Sequence, residues 1–189
     1  MKKVLVAAAA ILIFIVRAEA QRTSFGIKGG INVSSLKIKN GADYEAKTGF
    51  HAGGLAHIHL NNRFAIQPEL LLSLQGGERN ENNRINLTYL NMPVIVQYMI
   101  LDGLRLQTGP QIGFLLDAEQ KINNVEVDVS DVFSTVDVSW SFGTSYLFDS
   151  GFGFDARYNL GLNNISDDHD FEARNRSFQA GIFYQFRNR

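Results

Sequence analysis

Apolar and polar residues alternate along most of this chain. Over residues 24–34, Phe25, Ile27, Ile31 and Val33 share one parity, while Lys28, Asn32 and Ser34, with Gly26 and Gly30, share the other. A two-residue period belongs to a β-strand, whose side chains point to opposite faces in turn, so the stretch predicts a strand with one apolar and one polar face. Seven more stretches repeat it. Residues 50–60 set Phe50, Ala52, Ala56, Ile58 and Leu60 against His51, His57 and His59. Residues 64–75 set Ile66, Leu70, Leu72 and Leu74 against Gln67, Glu69, Ser73 and Gln75. Residues 85–100, 104–116, 136–148, 152–162 and 178–186 follow the same rule, and 136–148 is the clearest: Val136, Val138, Trp140, Phe142, Tyr146 and Phe148 alternate with Asp137, Ser139, Ser141, Gly143 and Ser145. Eight antiparallel strands are predicted.

The connections differ systematically in length. Asn61-Asn62-Arg63, Leu101-Asp102-Gly103 and Asp149-Ser150-Gly151 are of hairpin length and carry turn residues. The other connections, residues 35–48, 76–84, 117–135 and 163–175, read as long loops. In an up-and-down meander alternate connections fall at opposite ends, which puts every short turn at one end and every long loop at the other. That is the asymmetry of an outer-membrane barrel, with short periplasmic turns and long outer loops. Val125-Glu-Val-Asp-Val129 also alternates, so the fifth and sixth strands are expected to continue past the membrane as a hairpin.

Which face points outward separates a membrane barrel from a soluble one. The polar face is rich in Gly, Ser, Gln and Asn but has few charges, unlike a solvated surface. The apolar face carries Phe25, Phe50, Phe64, Tyr98, Phe148, Phe152 and Phe186 towards strand ends, as an aromatic girdle does. Strands of this length match the roughly 9–11 residues that a tilted strand needs to cross a bilayer. The fold expected is therefore an all-β, eight-stranded, antiparallel up-and-down transmembrane β-barrel. A lipocalin-like periplasmic carrier, with the apolar face turned inward, is the alternative.

Composition and the N-terminus fit this picture. The chain has 189 residues with 18 Lys+Arg, 19 Asp+Glu and no Cys. It therefore has neither the basic field that grips nucleic acid nor the thiols for a disulfide framework or Cys-bound zinc. Lys2 and Lys3 precede an unbroken apolar run over residues 4–16, followed by Ala18-Glu19-Ala20. This predicts a signal peptide over residues 1–20, cut before Gln21, and a barrel domain over 21–189 with both mature termini periplasmic. The apolar run spans about 20 Å as a helix, short of the roughly 30 Å hydrocarbon layer.

Four strand motifs carry a family resemblance. They are Phe64-Ala-Ile-Gln-Pro-Glu-Leu-Leu-Leu-Ser73, Tyr89-Leu-Asn-Met-Pro-Val-Ile-Val-Gln-Tyr98, Gly109-Pro-Gln-Ile-Gly-Phe-Leu-Leu116 and Arg157-Tyr-Asn-Leu-Gly-Leu-Asn-Asn-Ile165. In this order they resemble successive strands of the PorT-like family of outer-membrane β-barrel proteins, often labelled "porin family". The resemblance implies a Gram-negative outer-membrane protein, in a family whose namesake is associated with protein secretion.

The candidate chemistry lies on the polar face. Lys28, Arg105 and Arg157 with Glu69, Asp137 and Asp155 make three charges of each sign, which predicts a buried salt-bridge network filling the lumen, since charges taken from water must be paired. An eight-stranded barrel is just wide enough for side chains to fill, so a narrow porin-like transporter is the alternative to a structural role. His57 and His59 lie about 6.6 Å apart along one strand face, within reach of a shared metal, but His51 is too distant to complete a site. Asp167-Asp168-His169-Asp170 could hold Ca²⁺ or act in acid/base chemistry, or be a solvated loop. No nucleophile motif, zinc-binding helix or phosphate loop is present. The expectation is a non-enzymatic protein without cofactor, embedded among outer-membrane lipid and lipopolysaccharide, with a structural or interaction role and protein partners met through its surface loops.

Overall fold

The computed structural model describes residues 23–39, 44–80, 83–122, 125–166 and 172–186. The expected leader over residues 1–20 and the Asp167–Asp170 cluster lie outside them. The strands are β1 (Thr23–Lys39), β2 (Tyr44–His59), β3 (Phe64–Asn80), β4 (Asn83–Met99), β5 (Leu104–Ile122), β6 (Val125–Asp128), β7 (Val136–Leu147), β8 (Phe152–Gly161) and β9 (Glu172–Gln185). All neighbours pair antiparallel. The order is β4-β3-β2-β1-β9-β8-β7-β5, and β5 returns to β4, so these eight strands close a ring; β6 stands outside it, paired to the upper part of β5.

The apolar parity faces outward. Phe25, Ile27, Ile31, Leu70, Leu72, Phe142, Phe154 and Ile182 are exposed on the outer wall, while Lys28, Asn32, Glu69, Gln107, Arg157 and Gln179 are buried inside. Such a wall is stable only where the surroundings are as apolar as the side chains, which makes this belt the membrane-spanning part. It also sets aside the soluble carrier, whose apolar face would be inside. Rings touch along the short-turn end of the belt: Phe64 with Tyr98 at 5.1 Å, Phe152 with Tyr184 at 4.8 Å and Tyr146 with Phe148 at 4.9 Å between centroids. On the same wall the Trp140 indole N–H donates to Thr108 Oγ1 at 2.8 Å, so neither polar atom meets lipid alone. The turn before β8 uses Gly151 at φ +93°, a conformation that side chains resist.

The four connections read as long loops prove to be mostly ladder. β1 runs to Lys39, β2 starts at Tyr44, β3 and β4 extend to Asn80 and back from Asn83, and β9 begins at Glu172, so several strands rise well past the belt. The expected hairpin is present in part: the fifth strand continues, β5 running to Ile122 and pairing with β6 from Ile122↔Val125 to Glu119↔Asp128, but the sixth does not, because residues 129–135 separate β6 from β7. The pattern was hidden because its phase reverses at this height. In β1 the outward apolar residues are Ile31 and Val33, odd in number, whereas the next apolar residue, Leu36, points inward and is buried. β5 reverses by a bulge, since Thr88↔Asp117 is followed by Tyr89↔Leu115 and leaves Leu116 unpaired between them.

Above the belt the barrel therefore has an apolar inside. Leu36, Tyr44, Ile85, Leu87, Tyr89, Ala118, Phe133, Ile165 and Ala173 form one buried cluster, the core of a crown. Two segments fold back across the mouth to complete it. Residues 129–135, including a 3-10 turn at Ser130–Val132, are tied down by Val129 N–H to Ala118 O at 3.0 Å and Leu115 N–H to Thr135 O at 2.9 Å. Residues 162–166 follow, with Ser134 N–H to Ile165 O at 2.8 Å and Ile165 N–H to Ala173 O at 2.9 Å. Asn164 Oδ1 locks this return by accepting from Ser166 N–H at 3.0 Å and Ala173 N–H at 2.7 Å.

Candidate functional site

The lumen is built by the inward parity of all eight ring strands. Its centre is Arg157 on β8, which reaches across to β3 and donates to Glu69 with both terminal nitrogens, Nη1 to Oε2 at 2.8 Å and Nη2 to Oε1 at 2.6 Å. The paired fork geometry makes this the strongest kind of side-chain hydrogen bond. Room for it comes from Gly143 on β7, where a Cβ would stand 2.7 Å from Arg157 Cγ and 2.3 Å from Ala156 O. Lys28 on β1 pairs with Asp155 and lies 3.8 Å from Glu69, and Arg157 Nε is 3.4 Å from Asp155. Two cations and two carboxylates thus balance in one buried cluster. A lone buried charge is expensive, and this cluster leaves none of its four members without an opposite neighbour.

Glutamines extend the cluster to the wall. Arg157 Nε donates to Gln107 at 2.6 Å, and Gln107 Nε2 to Ser145 at 2.8 Å. On the other side Gln67 Nε2 donates to Glu69 at 2.6 Å, Gln97 Nε2 to Gln67 at 3.0 Å, and Arg105 Nη1 to Gln97 at 3.3 Å. So four of the six predicted charges meet directly, and Arg105 joins them through two glutamines. Asp137 is held apart in a higher tier. There Asn175 Nδ2 donates to Asp137 Oδ2 at 3.1 Å and to Gln75 at 2.6 Å, Gln75 to Ser73 at 3.0 Å, and Asn32 to Ser73 at 2.9 Å.

The histidines serve these tiers separately. His51 Nδ1 bonds Asn32 Oδ1 at 2.7 Å. His57 and His59 stack edge to face, with centroids 4.4 Å apart. Among the described residues no group of three or more His, Asp or Glu side chains comes together to hold a metal ion. The glutamine relay and the crown core have no counterpart among the expectations drawn from the sequence. The relay left no signal, since glutamine on a polar face is unremarkable, but the phase reversal at Leu36 was readable.

From the belt downward the lumen is crossed by connected polar side chains, and above it Phe133 and Ile165 are buried in the crown core. A closed eight-stranded antiparallel ring, apolar outside and polar inside, with short turns at one end, is a transmembrane β-barrel of the outer-membrane class. Residues 18–167 match the model of the outer membrane protein beta-barrel domain, and the chain belongs to that family. Its fold is shared with two solved structures. One is the attachment invasion locus protein Ail of Yersinia pestis, at 16% identity and TM-score 0.58, covering 86% of this chain and 98% of that one. The other is Neisserial surface protein A, at 13% identity and TM-score 0.60, covering 87% and 99%. Ail has also been solved with the heparin analogue sucrose octasulfate, in a structure that matches at 15% identity and TM-score 0.55, covering 87% and 99%. No curated protein sequence matches the chain. The protein is an outer-membrane protein, and the crown rises from the end that such barrels turn outward.

Proposed function

We propose that this protein is a sealed, non-enzymatic anchor whose work is done by contact at the crown. The observation that carries this reading is the paired charge across the lumen: Lys28, Glu69, Asp155 and Arg157 are spent on one another, and the crown core lies over them. A carboxylate locked into a bidentate pair is neither a free base nor an ion-binding station. The crown, by contrast, offers an open sheet edge. β6 pairs only with β5 among the described strands and all four of its residues are exposed, so its outer edge can accept an extended segment of a protein partner by strand addition.

Outer-membrane lipid and lipopolysaccharide are the partners of the wall. Lys37 faces Arg174 across β1 and β9, and Ser35 faces Arg176, so three exposed cations stand just above the last apolar pair, Val33 and Phe178, at headgroup height. Within the family, the order of the four strand motifs supports a place beside the PorT-like members. Processing after Ala20 completes the proposal and would leave a mature chain of residues 21–189.

Planar-bilayer recording tests the seal. The expected result is no stepwise conductance from the folded protein. Steady channels abolished by Glu69→Gln or Arg105→Gln would instead favour the narrow transporter. Contact is tested on intact cells with a photoreactive residue at Val127, on the crown, or at Ser150, in a periplasmic turn. Surface-accessible cross-links to a discrete protein from Val127 alone are expected, and their absence overturns the interaction role.

A further inference from the structure

The crown core is incompletely filled. A cavity of about 150 Å³ opens in it, walled by Leu36 of β1, Tyr44 of β2, Ile85 of β4, Gln120 of β5 and Ala173 of β9, with Val129, Val132 and Phe133 from the segment that folds back over the mouth; Val132 is itself exposed, so the cavity meets the outside there. Every wall comes from a different part of the chain, so the space depends on the whole crown and not on one loop. No charged side chain among the described residues lines it. Water is held poorly, because an ordered water needs two to four polar partners, and among the described residues the wall's polar side chains are Gln120 and Tyr44. The Gln120 Nε2 is already donating to Asn83 Oδ1 at 3.2 Å.

Size and chemistry select the occupant. An apolar cavity of roughly 150 Å³ takes a molecule the size of benzene. A whole acyl chain or a peptide segment is too large, and an ion finds no counter-charge among the described residues of the wall. The void also persists where the chain could have closed it, since Ala173, only 1% exposed, stands in the wall where a leucine would occupy the space. An unfilled space leaves its lining atoms without contacts on one side, and a bound ring restores them. Leu87 and Tyr89, lower on β4 and fully buried in the same core, stand between the cavity and the polar lumen. We infer that the crown carries a receptor site for one small, neutral, ring-sized apolar molecule taken up from outside. The site holds its ligand and does not pass it on.

Methyl NMR of the full chain in lipid nanodiscs, titrated with benzene, tests this. The methyls of Leu36, Ile85, Val129 and Val132 should shift saturably, whereas those of Ile27 and Ile182 on the lipid-facing wall should drift without saturation as benzene enters the lipid. Ala173→Leu and Val132→Phe fill the cavity from two different segments of its wall, and each should weaken the saturable response at least tenfold while the crown methyls stay dispersed. If Ala173→Leu collapses that dispersion, Val132→Phe decides. Crown methyls that respond no differently from the lipid-facing ones would overturn the inference, as would unchanged binding in a well-folded filled variant.

Discussion

The belt and the crown are made from the same strands but sort their side chains oppositely. In β1, Lys28, Asn32 and Ser34 are inside and Ile27, Ile31 and Val33 outside; a few residues on, Leu36 is inside and Lys37 outside. In β4, Asn91 and Gln97 are inside and Val94, Val96 and Tyr98 outside, yet Ile85 and Leu87 are inside where the strand leaves the membrane. The backbone ladder is continuous through both, so hydrogen bonding does not distinguish them. The surroundings do. Hydrocarbon gives an apolar side chain no reason to turn inward, so the belt leaves its interior to polar groups that must satisfy one another. Water restores that reason at about 25 cal/mol per Å² of apolar surface removed from it, and the crown responds with a small core of its own.

The contrast can be broken from either side. The largest effect is expected at Arg157→Met, which strands Glu69 and Asp155 in the lumen; breaking a buried pair costs about 3–5 kcal/mol. Urea unfolding in micelles should show the loss, and Arg157→Met combined with Glu69→Leu should recover much of it. Leu87→Ala removes a fully buried crown side chain and should cost about 2–5 kcal/mol. Its signature is local: crown amides exchange faster, while the heat-modifiable band of the folded belt remains. Ile182, midway between Phe178 and Phe186 on the outer wall, faces lipid near mid-height, and Ile182→Lys should cost about 2–4 kcal/mol. Ser35→Lys, two rungs above the belt, should be close to neutral in the same assay.

The smallest effect belongs to the exposed pair on the β5–β6 hairpin. Lys121 Nζ donates to Glu126 at 2.9 Å and holds that carboxyl below its ordinary pKa. A lowered carboxyl pKa stabilises above the ordinary value and loses its contribution as pH falls through the lowered one. Lys121→Ala should therefore raise the Glu126 titration midpoint in NMR without a measurable change in unfolding.

The belt was legible because its signal is strictly local. Parity alone placed Phe142, Trp140 and Tyr146 on one wall and Ser139, Ser141 and Ser145 on the other, and the short turns at 61–63, 101–103 and 149–151 oriented the barrel. Above residue 35 the apolar phase changes, at Leu36 in β1 and at the bulge in β5, so a single phase per strand does not reach the crown. Lys28, Glu69, Asp155 and Arg157 were singled out as charges on the inner face, but nothing in their spacing shows that Arg157 takes Glu69, 88 positions away, while Asp137 is held in a separate tier by Asn175. Pairing across a lumen depends on strand register and on which side chain is long enough to span it.

The sequence by itself determined the strand count, the handing of faces to lipid and lumen, and the end from which the long connections rise, since each follows from period and turn chemistry over a few residues. Tertiary structure alone decided who pairs with whom inside, that the tall connections close into a crown with an apolar core, and that this core keeps an unfilled space. Those outcomes rest on contacts between residues far apart in the chain, and such contacts exist only once the ring has closed.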